Sequence, residues 1–131
     1  MTKIYVTDAH AFLWFLLQDK REGKKALEIF RACDKGKEIV VVPSIVLLEC
    51  MYVCEKKRVE FEFQEIMRKI QGTFNYPIYP LDEEVILECQ NVSQIIELHD
   101  RIIVATSKLL NAKLITRDAN IIDSKLVETI W

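Results

Sequence analysis

Short apolar runs alternating with helical patterns over 131 residues predict an α/β domain with a central, mainly parallel sheet of four to five short strands. Two observations carry this class. Continuous β-branched runs at 3–7, 38–42 and 113–116 are too short for helices and too apolar for half-exposed strands, so they read as buried on both faces. The segments between them place apolar residues at helical spacing, which supplies layers on both sides of the sheet, a three-layer α/β/α arrangement.

Residues 3–7 form the first expected strand, and residues 9–17 a helix for which Asp8 is available as N-cap. Residues 22–35 carry Ala26, Leu27, Ile29, Phe30 and Cys33 at helical spacing and stop at Gly36. The run EIVVV at 38–42 is the second strand, after which Pro43 and Ser44 open a helix to about Lys57. An amphipathic helix over 61–71, a short strand at Ile78 and Tyr79, and a helix capped by Asp82 through about Glu97 follow. Asp100 opens the next helix (Ile102, Ile103, Ala105, Thr106, Leu109, Leu110), residues 113–116 form a strand and residues 126–130 a last one.

The length suits one domain, 1–131, without repeat, linker or low-complexity tract. Half the residues are hydrophobic, with three Gly and three Pro, which excludes disordered and fibrous classes. Eighteen basic against 20 acidic residues exclude binding of nucleic acid by bulk charge, so any such contact is local or cation-assisted. No apolar stretch approaches the roughly 20 residues of a membrane span. The N-terminal segment lacks signal-peptide and transit-peptide patterns, so a cytoplasmic protein is expected. Cys50 and Cys54 stand one helical turn apart and are open to a metal reading. Without a second pair or a nearby His, all four cysteines (Cys33, Cys50, Cys54, Cys89) read as small core hydrophobes.

Four acids stand out: Asp8, Glu49, Asp100 and Asp118. Glu49 interrupts the apolar run 45–53, where no Lys or Arg lies within a helical turn. A buried carboxylate there needs a partner, which a cation would supply. Singly, Asp8, Asp100 and Asp118 are each explained by N-capping of the helix that follows. Jointly they are not, because chain order brings Asp8, Glu49 and Asp118 toward the carboxyl edge of the sheet, where open α/β sheets bind ligands. Asp100 joins them if its helix folds back to that rim. Clustered carboxylates persist when protonated or when a cation sits among them, and oxygen-only ligands suit Mg²⁺ or Mn²⁺. No Gly-rich phosphate loop, GxSxG elbow or HExxH motif is present.

The strings VTDAHAFLWFL at 6–16, SIVLLE at 44–49 and HDRIIVATSKLLNAKLITRD at 99–118 together resemble PIN-domain ribonucleases, and within them the VapC-like toxins of toxin–antitoxin pairs. The block D-R-x-I-V-A-T followed by L-I-T-R-D is the most specific part. The resemblance implies a PIN-like nuclease domain with Asp8, Glu49, Asp100 and Asp118 as catalytic, metal-holding acids, Asp8 and Asp100 foremost. It implies Thr116 as the hydroxyl that orients a water or a neighbouring acid. Mg²⁺ or Mn²⁺ as cofactor, RNA as substrate, 5′-phosphate and 3′-hydroxyl products, a homodimer and a cognate antitoxin follow from it as expectations. Where many members carry Thr or Ser after the first acid this chain has Ala9, which removes a hydroxyl but no ligand.

His10, His99, Arg101 and Arg117 border the acids and are open to either substrate contact or a structural role. Lys56, Lys57 and Arg58 read as a solvated helix end. Two rival readings compete with the nuclease. One is a catalytically silent PIN-like RNA- or protein-binding module, which would gain nothing from the repulsion of four acids. The other is a phospho-acceptor receiver domain, which would need paired acids after the first strand where only Asp8 stands.

Overall fold

β1 (Ile4–Thr7) lies at the middle of a five-stranded, all-parallel sheet in the computed structural model, which describes residues 2–56 and 61–131. The spatial order is β3 (Ile78–Tyr79), β2 (Ile39–Pro43), β1, β4 (Lys113–Ile115), β5 (Thr129–Ile130). Val6 aligns with Val41 on one side and with Leu114 on the other. Residues Tyr5–Thr7 and Val40–Pro43 are all buried, whichever face they point to, so helices cover both faces as the continuous apolar runs require. Seven α-helices do this: α1 (Ala9–Leu17), α2 (Lys24–Asp34), α3 (Ser44–Lys56), α4 (Phe63–Gln71), α5 (Glu83–Cys89), α6 (Leu98–Leu110) and α7 (Ala119–Ser124). The core runs from Phe12 and Phe30 through Val6, Val40 and Val42 to Ile103, Leu114 and Ile121.

The chain leaves β1 toward β2 and β3 on one side and later returns to build β4 and β5 on the other. The crevice between β1 and β4 is therefore the topological switch point, the place where such sheets bind ligands. Asp8 follows β1 and Asp118 lies three residues beyond β4, so two of the acids flank that crevice by topology alone.

Four boundaries differ from the sequence reading. The helix expected from Asp82 to Glu97 ends at Cys89 and passes into a short 3-10 turn at Gln90–Val92. The Cys89 carbonyl, which a continuing helix would bond within itself, instead accepts Nε–H of Arg101 at 2.8 Å, and buried Val92 and Ile95 pull the chain back into the core. Asp100 does not open α6. Glu97 is its N-cap, accepting the Asp100 amide at 2.7 Å, which leaves the Asp100 carboxylate in the first turn with no capping duty. α2 begins after Gly23 rather than at Glu22: Gly23 is the N-cap with extended backbone (φ −68°, ψ 153°), and a Cβ there would stand 2.7 Å from the Trp131 ring. At its other end Gly36 takes φ +77°, the left-handed turn that lets Lys37 N–H bond back to Ala32. The last strand is shorter than expected, at Thr129–Ile130.

Candidate active site

A cavity of about 500 Å³ opens at the β1–β4 crevice, and Asp8, Glu49, Asp100 and Asp118 all line it. The helix α3 brings Glu49 from beyond β2, and the first turn of α6 folds back to the rim with Asp100. All four predicted acids thus meet at one place, although they are up to 110 residues apart in the chain.

Asp8 is buried and doubly held. Oδ1 accepts the Ala11 amide at 2.8 Å, as an N-cap does, and Oδ2 accepts the Thr116 hydroxyl at 2.5 Å. Burial raises its carboxyl above the usual range, and these two hydrogen bonds work against that rise. Fully buried Thr116 joins two acids: it donates to Asp8, and its oxygen accepts the Asp118 amide at 3.1 Å. Asp118 in turn caps α7, accepting the Ile121 amide at 3.0 Å. The capping reading and the site reading are therefore compatible, since a carboxylate that caps with one oxygen keeps the other for the cavity.

Asp100 is pushed up to about 6, by burial first and then by the charges of Asp118, Glu97 and Asp8. Glu49 is pushed up to about 7, again by burial first; the nearby His99 lowers it while Glu97, Asp100 and Asp8 raise it. Its Oε1 is buried with no hydrogen-bond partner among the described residues. Such an orphaned atom, in a cavity whose acids raise one another, has the electrostatics of a place prepared for a cation. Among the described residues no three His, Cys, Asp or Glu side chains stand close enough to grip one ion as they are. Unscreened carboxylates repel, and both oxygens of Asp8 are engaged by protein donors, so the acids surround the space without closing on it. The donor set is dominated by carboxylates, which fits a hard divalent cation better than zinc; the imidazole that lines the cavity, His10, lies against Trp14.

The bordering residues separate. Arg101 is turned away and holds the Cys89 carbonyl. Arg117 lines the cavity with its guanidinium 4.4 Å from the Trp14 ring centre. Exposed His10 tilts against Trp14 at 5.4 Å, and exposed His99 pairs with Glu97 at 3.2 Å. Lys56 lies over the Tyr52 ring at the end of α3, while Lys57 and Arg58 lie outside the described residues. Cys50 is buried and its thiol is pushed up to about 12, chiefly by burial, so it is a core group rather than a thiolate ligand. All four cysteines are free.

Sequence reasoning passed over Glu97, Trp14, Arg21 and Trp131, which also line the cavity, and Glu22 beside it. Trp14 sits one turn after His10, so their stacking was legible as an i, i+4 pair. Trp131 carried no signal, because it meets Trp14 edge-on at 6.0 Å across more than a hundred residues. Glu22 has both carboxyl oxygens buried without a partner among the described residues and is pushed up to about 8, by burial and then by Asp8 and Asp19.

Comparison with known proteins agrees with the fold. The fold is similar to that of a VapBC2 structure from Rickettsia felis bound to a promoter DNA fragment, with TM-score 0.70, 14% identity and 97% of each chain covered. A toxin–antitoxin complex from Klebsiella pneumoniae matches at TM-score 0.71 and 19% identity over 97% of this chain and 96% of that one. FitAcB from Neisseria gonorrhoeae matches at 0.69 and 14%, over 97% and 96%. No curated protein sequence matches significantly. The model of the PIN domain matches residues 5–125, which include all four acids and Thr116. With that match spanning nearly its whole length, the chain belongs to the PIN domain family.

Proposed function

We propose that this protein is a Mg²⁺- or Mn²⁺-dependent endoribonuclease acting in the cytoplasm as the toxin of a toxin–antitoxin pair. The observation that carries the reading is the convergence of four carboxylates on one cavity at the sheet's switch point, with a buried Glu49 oxygen left unpartnered. Asp8 and Asp100 are the principal metal-holding groups, and Asp118 and Glu49 complete the acidic pocket. A bound Mg²⁺ or Mn²⁺ would supply charge neutralisation at the phosphodiester and activation of water for in-line attack. The side chains do the rest. Thr116 keeps Asp8 oriented by its hydrogen bond and ties it to the Asp118 turn. Asp100, freed from capping by Glu97, faces the cavity at the N-terminus of α6. In the hydrolysis, water oxygen bonds to phosphorus and the bond to the 3′ oxygen breaks, which leaves 5′-phosphate and 3′-hydroxyl ends.

The toxin assignment is supported by the residue blocks at 6–16, 44–49 and 99–118 and by fold similarity to a toxin–antitoxin complex and to VapBC2. An antitoxin segment entering the acidic cavity, and a homodimer that places two such cavities on one groove, belong to the same reading. Asp8→Asn and Asp100→Asn are expected to abolish Mn²⁺-dependent cleavage of RNA while circular dichroism shows a folded protein. Wild-type cleavage by either variant would overturn the role of that acid. Retained RNA binding without cleavage by the wild-type chain in Mn²⁺ would favour the silent binding module instead.

A further inference from the structure

The cavity that gathers the acids also has one cationic side, built around a buried tryptophan. Trp14 is 6% exposed and carries two guanidinium groups over its ring, Arg21 at 4.5 Å and Arg117 at 4.4 Å from the ring centre. Their charges are disposed differently. Arg21 is committed to Asp19 through a two-point contact, Nε–Oδ1 at 3.0 Å and a terminal nitrogen to Oδ2 at 2.7 Å. Arg117 has no carboxylate within ion-pair distance among the described residues, although five acids line the same cavity, Glu97 with the four named above.

The turn that bears Arg117 accounts for this. Thr116 is drawn inward to Asp8 and Asp118 is fixed as the cap of α7, so the residue between them is held outward with both neighbours pinned. The indole then keeps the exposed Arg117 side chain at the cavity mouth rather than across the acids, as a cation–π contact can. A guanidinium held over a ring and without a carboxylate partner keeps N–H donors for two phosphate oxygens.

We propose that Arg117 binds a phosphate of the RNA backbone at the mouth of the acidic cavity, and that Trp14 is the positioning residue that presents it. The inference rests on the nuclease reading for the identity of the strand and adds to it the group that aligns that strand. An anionic strand needs such a contact here, because it must approach five carboxylates on a protein of net charge −2.

The test measures binding of a fluorescein-labelled, random-sequence single-stranded RNA by anisotropy across a salt series, with Ca²⁺ replacing Mn²⁺ to suppress turnover. Arg117→Ala is expected to weaken binding about tenfold and to flatten the dependence of log K on log salt by about 0.7, one phosphate contact on a single strand. Arg117→Lys is expected to keep the salt slope and recover part of the affinity, since it keeps charge without the fork. Trp14→Phe retains a weaker ring and is expected to fall between wild type and Arg117→Ala in affinity. Unchanged affinity and slope in Arg117→Ala would overturn the proposal, as would wild-type protein that binds no RNA. A wild-type chain that binds RNA through Arg117 but never cleaves it would sink the nuclease reading and leave this one standing. Cleavage with KM unaffected by Arg117→Ala would do the reverse.

Discussion

Glu49 is the residue whose surroundings demand most of its chemistry. Its folded value of about 7 lies above its ordinary 4.5, and that of Asp100, about 6, lies above 3.8. Between those limits the folded protein binds more protons than the unfolded chain, so stability is greatest at low pH and declines as pH rises through 7. The melting temperature of the metal-free protein is accordingly expected to fall between about pH 5 and 8. Mn²⁺ at pH 7.5 is expected to restore it, because an ion bound only by the folded state stabilises that state. Glu49→Gln should flatten the fall; a melting temperature indifferent to Mn²⁺ would count against these carboxylates as ligands. Glu49 was legible in the sequence because its own helix offers no basic partner. Glu22 was not, since the flanking stretch REGKK at 21–25 looks like a solvated helix start. Glu22 lines a cavity with Trp14, Phe15 and Leu16 of α1, neighbours that no pattern around 21–25 reveals. Glu22→Gln is expected to raise the melting temperature at about pH 8, since wild type loses stability between the unfolded value of 4.5 and the folded value of about 8, and to leave it unchanged at about pH 4. Equal shifts at both pH values would mean the gain comes from packing instead.

The join between α5 and α6 shows how an element boundary delivers an acid to the cavity. Apolar spacing predicts one helix from Asp82 to Glu97, and nothing local forbids it. The bond from Arg101 to the Cys89 carbonyl ends α5 early, and Glu97 is then free to cap α6. That capping leaves Asp100 in the first turn, facing the cavity. A hydrogen bond between residues on different helices leaves no periodic trace, which is why the boundary was missed. Arg101→Ala is expected to destabilise the fold by about 1.5–3 kcal/mol, the range for a hydrogen bond involving a charged group. RNA cleavage at permissive temperature should survive. Lost cleavage with an unchanged denaturation midpoint would instead place Arg101 in the site.

The parallel sheet organises all of this through strand order. Because β1 is central and the chain builds outward on both sides of it, the loops after β1 and β4 are neighbours, and Asp8 meets Thr116. Leu48 and Tyr52 on α3, with Ile86 and Leu87 on α5, remain exposed and offer apolar surface for the expected homodimer. Sedimentation at micromolar concentration is expected to give twice the chain mass of 15.3 kDa, and a monomer there would remove the paired-cavity groove from the proposal.

The sequence by itself determined the three-layer class, the order of strands and helices, and the identity of the four acids. These are written in short-range patterns: β-branched runs, helical spacing, and a glutamate without a local partner. Only the tertiary structure decided that Asp100 folds back to the cavity, that Arg117 rather than Arg101 borders it, and that Trp14 and Trp131 meet. Each of those outcomes depends on contacts between segments far apart in the chain. Such contacts are selected by the packing of the whole core, and no window of neighbouring residues contains them.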